Sequence, residues 1–132
     1  MTEEQFQLRD GTSLFFRSIG PKEPVAVALF LHGYGQHSGR FQELPMALHA
    51  KDIAVIAPDH RGHGRSAELM GYIEDFDLLV GDIEELHGLA SQRYPGCPIF
   101  LVGQSMGGLL GIRYFQLGKA PVRGAVFLAP VV

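Results

Sequence analysis

The chain has 132 residues, enough for one ordinary domain or for part of a larger one. Hydrophobic residues make up 46 % and charged residues 19 %, a balance that excludes a disordered chain and fits a packed one. The formal charge of −3, with its basic residues scattered, lacks the electrostatic footprint of a protein that binds nucleic acid or an anionic membrane.

The first elements read as a hairpin. Residues 5–8 and 12–19 flank Arg9-Asp10-Gly11, and Asp-Gly between apolar runs is a strong hairpin signal. Gly20-Pro21 ends it. Beyond this point the apolar runs are continuous instead of alternating: residues 25–31, 53–57, 99–102 and 122–128. Strands buried on both faces look this way, and they belong to parallel sheets covered by helices.

Helical patterns separate these runs. Phe41, Leu44 and Leu48 mark one face of a first helix, with Pro45 awkward in its interior. A longer helix is predicted over 73–94, with Phe76, Val80, Ile83, Leu86 and Ala90 on one face. Glu74, Asp75 and Asp77 near its start and Arg93 near its end complement the helix dipole, and Pro95-Gly96 stops it. A third helix is predicted over 108–117. A β-hairpin followed by β, α, β, α, β, α, β argues for an open α/β sheet with right-handed crossovers.

Ligands in such sheets bind at the C-terminal ends of the strands. Three loops lie there: His32-Gly33-Tyr34-Gly35, then residues 59–66 (Asp-His-Arg-Gly-His-Gly-Arg-Ser), then Gly103-Gln104-Ser105-Met106-Gly107. The last is a G-x-S-x-G sequence between a strand and a helix, the context of a nucleophile elbow. The turn strains the backbone at Ser105 and exposes its hydroxyl. Gly103 and Gly107 are expected because side chains there would collide with the neighbouring strand or helix. Acyl transfer through Ser105 builds negative charge on a carbonyl oxygen, which two backbone N–H groups can stabilise. Met106, next after the serine, supplies one, and the loop after His32 supplies the other, at Tyr34. Gly33 and Gly35 let that backbone come close to a substrate. The ring of His32 is expected to pack within its loop.

These three loops, in this order, resemble those of α/β-hydrolases of the monoacylglycerol lipase and lysophospholipase type (serine aminopeptidase S33-type). The resemblance runs from His32 to Phe41, from Asp59 to Ser66 and from Gly103 to Gly108, and it covers essentially the whole chain. It implies a serine ester hydrolase acting on a small, lipid-derived ester, with Ser105 as nucleophile and Tyr34 and Met106 as oxyanion donors. In that family a lid, the catalytic Asp and the catalytic His lie beyond the strand matching 122–128. Only 27 residues follow Ser105, and none is Asp, Glu or His. The chain is therefore expected to be the N-terminal part of the fold, one incomplete domain over 1–132, truncated before the lid and last strands. It is competent only with the remainder. The alternative is a non-catalytic fragment or a subunit that depends on a partner.

Other residues carry less. His60 and His63, with Asp59, lack further residues at ligand spacing, so no metal is expected, and no cofactor motif occurs. Asp59 follows the wrong strand to be a nucleophile. His49 and His87 are expected on helix surfaces. Cys97, the single cysteine, excludes an internal disulfide, suits a reducing compartment and is expected to pack. None of the upstream histidines is expected to stand in for the base. The polar start, Met1-Thr2-Glu3-Glu4-Gln5, is no signal peptide, and no apolar run reaches about 20 residues, so a cytoplasmic protein is expected. Peripheral membrane contact stays open without support. Residues 122–128 would form an uncovered edge, from which the truncated chain is expected to be marginally stable or to self-associate.

Overall fold

Each continuous apolar run becomes a strand of the parallel part of the sheet, the last of them at its edge. The computed structural model describes residues 1–131 and contains, among them, one six-stranded sheet of order β1-β2-β4-β3-β5-β6. β1 (Thr2–Gln7) and β2 (Ser13–Ile19) form the antiparallel hairpin, turned at Gly11 with φ 87°. β3 (Ala26–Leu31), β4 (Ile53–Pro58), β5 (Ile99–Gln104) and β6 (Gly124–Leu128) run parallel to one another. β2 meets β4 antiparallel. The sheet is thus mostly parallel, with an antiparallel hairpin at one edge.

The period of two along each strand divides the core. Val27, Leu29 and Leu31 of β3 enter a cluster with Ile83 and Leu86 of α2 (Phe76–Arg93) and Leu110 of α3 (Met106–Gln116). Ala28 and Phe30 enter a smaller cluster against Leu44 and Leu48 of α1 (Glu43–His49). Pro45 is the third residue of α1, where a backbone N–H has no intrahelical acceptor to lose. Among the described residues no helix is long and apolar enough to cross a membrane.

Several boundaries differ from expectation. β1 spans Thr2–Gln7 and not 5–8, because its ladder with β2 runs from Thr2↔Ser18 to Gln7↔Ser13. α2 starts at Phe76, not at 73, because the Asp75 carboxylate accepts from the Asp77 N–H at 2.9 Å and caps the helix. The residues before it are drawn into a loop, where Gly71 N–H donates to Gly62 O at 2.6 Å. α3 starts at Met106, two residues early, because Ser105 is itself the N-cap. β6 starts at Gly124, opposite Phe100 of β5. His49 and His87 are partly buried instead of lying on the surface: Nδ1 of His49 is shut off from solvent, and His87 Nε2–H donates to Pro121 O at 3.0 Å. Cys97 packs with its thiol 3.5 Å from Pro24 O, and burial pushes its pKa up. β6 is an edge strand, with Val126 53 % and Leu128 44 % exposed.

One ion pair ties the hairpin, a loop and a helix together. Arg61 donates to both carboxylate oxygens of Asp82 on α2, at 2.8 and 3.0 Å. Its Nη1 also reaches Asp10 at 2.8 Å and Thr12 Oγ1 at 3.0 Å in the hairpin turn. Asp82 is 4 % exposed, so removing its partner leaves a charge with nowhere to go. Arg61→Ala is expected to lower the unfolding free energy by about 3–5 kcal/mol, and Arg61→Met with Asp82→Leu to recover most of it. Urea unfolding of the two variants checks this; equal losses in both would refute it.

Candidate functional site

Strand register sets the site. Leu31 of β3 pairs with Gly103 of β5, and Gln104 of β5 pairs with Leu128 of β6. The strands therefore end on one line, and the loops that follow them open at one edge of the sheet. There β5 turns sharply into α3 through Ser105, which has φ 55° and ψ −117°. An L-residue tolerates that region only under constraint. The constraint is packing. A β-carbon on Gly107 would fall on the Leu31 carbonyl oxygen, and one on Gly103 would fall on the Gly107 carbonyl. Only glycine lets α3 lie that close to β3 and β5. Ser105 is partly exposed, and its side chain caps no helix N–H.

The loop after β3 lies beside it. A β-carbon on Gly33 would be 3.3 Å from Ser105 Cβ. Gly33 N–H donates to Gln36 Oε1 at 3.3 Å, and Gly33 O accepts from Gln36 N–H at 3.2 Å, which closes the turn. Gly35 has φ 75° with open space where a side chain would stand, so its backbone conformation, not close contact, calls for glycine. The amides of Tyr34 and Met106 make no hydrogen bond among the described residues. Met106 is the first residue of α3, where an N–H has no intrahelical acceptor. The Tyr34 side chain is 60 % exposed; its hydroxyl donates to Gly71 O at 2.8 Å, and its ring meets His63 edge-on at 5.1 Å.

Beneath these groups His32, His60 and His63 form a buried aromatic cluster. His60 N–H donates to His32 Nε2 at 3.0 Å, so His32 is neutral, with its proton on Nδ1 facing Gly33 O at 2.7 Å. His60 Nε2–H returns a bond to His32 O at 3.0 Å. The two loops are thereby stitched reciprocally. His63 Nδ1–H donates to Arg61 O at 3.2 Å, and its Nε2 is buried with no partner among the described residues. Among those residues no group of three or more His, Cys, Asp or Glu is placed to hold a metal ion.

Asp59 has a role that sequence reasoning missed. It is 1 % exposed and accepts from Ser38 N–H at 2.7 Å, Ser38 Oγ–H at 2.6 Å and Arg65 N–H at 2.9 Å. It thus anchors the segment after the first loop to its own loop. Spacing could have shown the contact with Arg65, six residues on, but nothing local marks Ser38. The Tyr34–Gly71 bond was equally hidden.

Burial holds His32 well below its usual 6.5, at about 4, and pushes His60 well below 6.5 as well. Both are neutral in the folded protein and become charged in the unfolded chain below about pH 6.5. In that range the unfolded state binds more protons, so stability falls as pH falls, by up to about 1.4 kcal/mol per pH unit for each histidine. Glu4 and Asp10, whose ordinary values are 4.5 and 3.8, act only at lower pH. Unfolding free energies measured by urea titration are therefore expected to be flat above about pH 7 and to decline from about 6.5 to 5. The slope should be shallower in His32→Gln. An equal slope in that variant would contradict the assignment.

The profile of the family described as serine aminopeptidase, S33 matches residues 22–132. Human monoglyceride lipase is 38 % identical over 124 residues, which make up 93 % of this chain and 41 % of that protein. The monoacylglycerol lipase of Mycolicibacterium smegmatis is 36 % identical over 110 residues, 83 % of this chain and 39 % of that protein. A soluble variant of the Saccharomyces cerevisiae monoglyceride lipase, solved with a substrate analog, superposes with a TM-score of 0.87 at 21 % identity, covering 99 % of this chain and 44 % of that one. A carboxyl esterase from Bacillus coagulans, solved with glycerol, gives a TM-score of 0.85 at 24 % identity, with 96 % and 43 % covered. These two share the fold. The chain spans about two fifths of the length of the curated relatives it matches. With its mostly parallel sheet, flanking helices and strand–turn–helix at Ser105, the chain belongs to the serine aminopeptidase S33 family of α/β-hydrolases.

Proposed function

We propose that this chain supplies the nucleophile and the oxyanion hole of a serine hydrolase that cleaves a carboxylic ester of a small, lipid-derived substrate. One observation carries the reading: Ser105 sits in a strained turn, its side chain capping no helix N–H, between the Met106 amide at the start of α3 and the Tyr34 amide of the first loop, both unbonded among the described residues. In the reaction Ser105 Oγ attacks the ester carbonyl as a base takes its proton. The carbonyl oxygen, now negative, accepts from the N–H groups of Met106 and Tyr34. The carbonyl then re-forms, the alcohol leaves with a proton, and an acyl-enzyme on Ser105 remains for water to hydrolyse. The names of the human and mycobacterial relatives support a monoacylglycerol as the ester. The free thiol of Cys97 fits a reducing, cytoplasmic setting.

The base and acid come from outside these residues in this reading, which makes the 132-residue chain one incomplete domain. None of the histidines is hydrogen-bonded to the Ser105 hydroxyl among the described residues, and both ring nitrogens of His32 are engaged. Loss of the serine of a comparable triad lowers kcat about 10⁶-fold. In the protein as its source makes it, a fluorophosphonate is expected to label Ser105 covalently, and Ser105→Ala to abolish labelling and turnover. Labelling that survives the substitution would sink the reading. The same lack of a bonded base favours a second reading, a chain that is inactive until a partner supplies the rest. Esterase activity that tracks Ser105 in the purified 132-residue chain would refute that one.

The β6 edge supports a further expectation. It carries no charged side chain from Gly124 to Leu128, and an apolar edge strand is a template for pairing. Purified alone, the 132-residue chain is expected to self-associate, and Val126→Lys to shift it toward monomer in light scattering. A monomeric parent with one sharp unfolding transition would overturn this.

A further inference from the structure

β6 does more than extend the sheet. Its last residue, Leu128, is followed by Ala129 at φ 46°, the left-handed region that L-residues with a β-carbon seldom occupy. That conformation turns the chain back across the first turn of α3, and three contacts follow. Leu128 O accepts from Ser105 N–H at 2.9 Å, and Val131 N–H donates to Ser105 O at 3.3 Å. Pro130 lies over Gly108, where a β-carbon would stand 2.8 Å from Pro130 Cβ and 3.1 Å from its Cα. The Ser105 N–H is therefore held by residue 128, and the Ser105 carbonyl, which also accepts from Gly108 N–H at 2.9 Å and Leu109 N–H at 3.2 Å within α3, takes a third bond from Val131. The N-cap position offers the Ser105 N–H no acceptor within α3. A residue at φ 55° and ψ −117° persists only where its surroundings over-determine it.

We propose that the turn at 128–131 is a positioning element for the nucleophile. It holds the Ser105 backbone from the β6 side while resting on the first turn of α3, and so aims the hydroxyl, with Ala129 and Pro130 as positioning residues that touch no substrate. Gly108 is glycine because Pro130 sits on it. The inference rests on the reading of Ser105 as nucleophile.

Four variants test it in the protein as its source makes it. Ala129→Gly keeps the left-handed turn; Ala129→Val, β-branched, forces the turn open. Gly108→Ala favours the helix by propensity but pushes Pro130 away, and adding Pro130→Gly makes room again. The first readout is exchange of the Ser105 amide hydrogen, which needs no activity. The second is the acylation rate constant with a fluorophosphonate, separated from its reversible binding constant. Ala129→Gly is expected to match the parent in both. Ala129→Val and Gly108→Ala should exchange the Ser105 amide faster and acylate at least about tenfold more slowly, with binding unchanged, since a small misplacement of a reacting group costs that much or more. The amides of Leu101 and Leu110 should stay protected, and Pro130→Gly should restore the rate in Gly108→Ala. If Ala129→Val exposes those two amides as well, it has unfolded, and the Gly108→Ala pair decides. A labelled parent whose Gly108→Ala variant acylates at the parental rate would overturn the proposal alone. A parent that is never labelled would overturn the nucleophile reading and the positioning role with it.

Discussion

The seating of α3 on the end of β3 is the constraint from which the site follows. Gly107 rests against the Leu31 carbonyl, and Gly103 against Gly107, so the helix begins within one residue of the strand's end. The chain can make that reversal only by placing Ser105 in a conformation that free peptides avoid. Parallel pairing of β3 with β5 then carries Gly33 to within van der Waals distance of Ser105. A larger residue at Gly107 would therefore do more than crowd the core: it would move α3 off β3, relax the turn and separate the serine from the loop beside it. Strain at Ser105 and proximity to the first loop are two consequences of one close packing.

Around this turn the loops are held by polar groups kept away from water. Asp59 accepts three hydrogen bonds, two of them from Ser38, and fixes where the first loop's continuation lies. His32 and His60 exchange ring-to-backbone bonds in both directions. The bond that His32 Nε2 accepts requires a neutral His32 with its proton on Nδ1, and burial enforces neutrality in both rings by penalising the charged form. A charged His32 would have to donate where it now accepts, and the His60 amide would lose its partner. The cluster thus sets the distance between the loops through protonation state as much as through shape, while the Tyr34 hydroxyl fastens its outer end to Gly71.

The fold was readable because its signals are local. A continuous run such as Ala-Val-Ala-Leu-Phe-Leu in β3 announces burial on both faces, and all six of those residues are buried. Glycine spacing around Ser105 announces a close turn. Boundaries were less readable where a side chain or a tertiary bond decides them: the Asp75 cap displaced the start of α2, and the Gly71–Gly62 bond drew the preceding residues into a loop. The supports of the site were not readable at all. Arg61 with Asp82, Asp59 with Ser38, Tyr34 with Gly71 and Ser105 with Leu128 each join residues about 20 or more apart in sequence. Such pairings exist only once strand order and register bring loops together, and neither periodicity nor spacing encodes them.

The two sides of the sheet are unequal, and the inequality bears on how the site is built. α2 and α3 cover one face from β3 to β5, whereas α1 covers the other over β3 and β4 and leaves Val102 partly open, beside Val126. Every contact that shapes the Ser105 turn lies among β3, β5, α3 and residues 128–131. Those elements are the well-covered ones, apart from the exposed end of β6. A turn made rigid by its own packing does not wait for further groups to take shape. In the proposed hydrolase, a base or an acid brought to this edge would have only to arrive at the right distance; it would not need to order Ser105. Under that proposal the labour divides, with the strained turn balanced inside the sheet by glycine packing and proton chemistry left to groups at its rim.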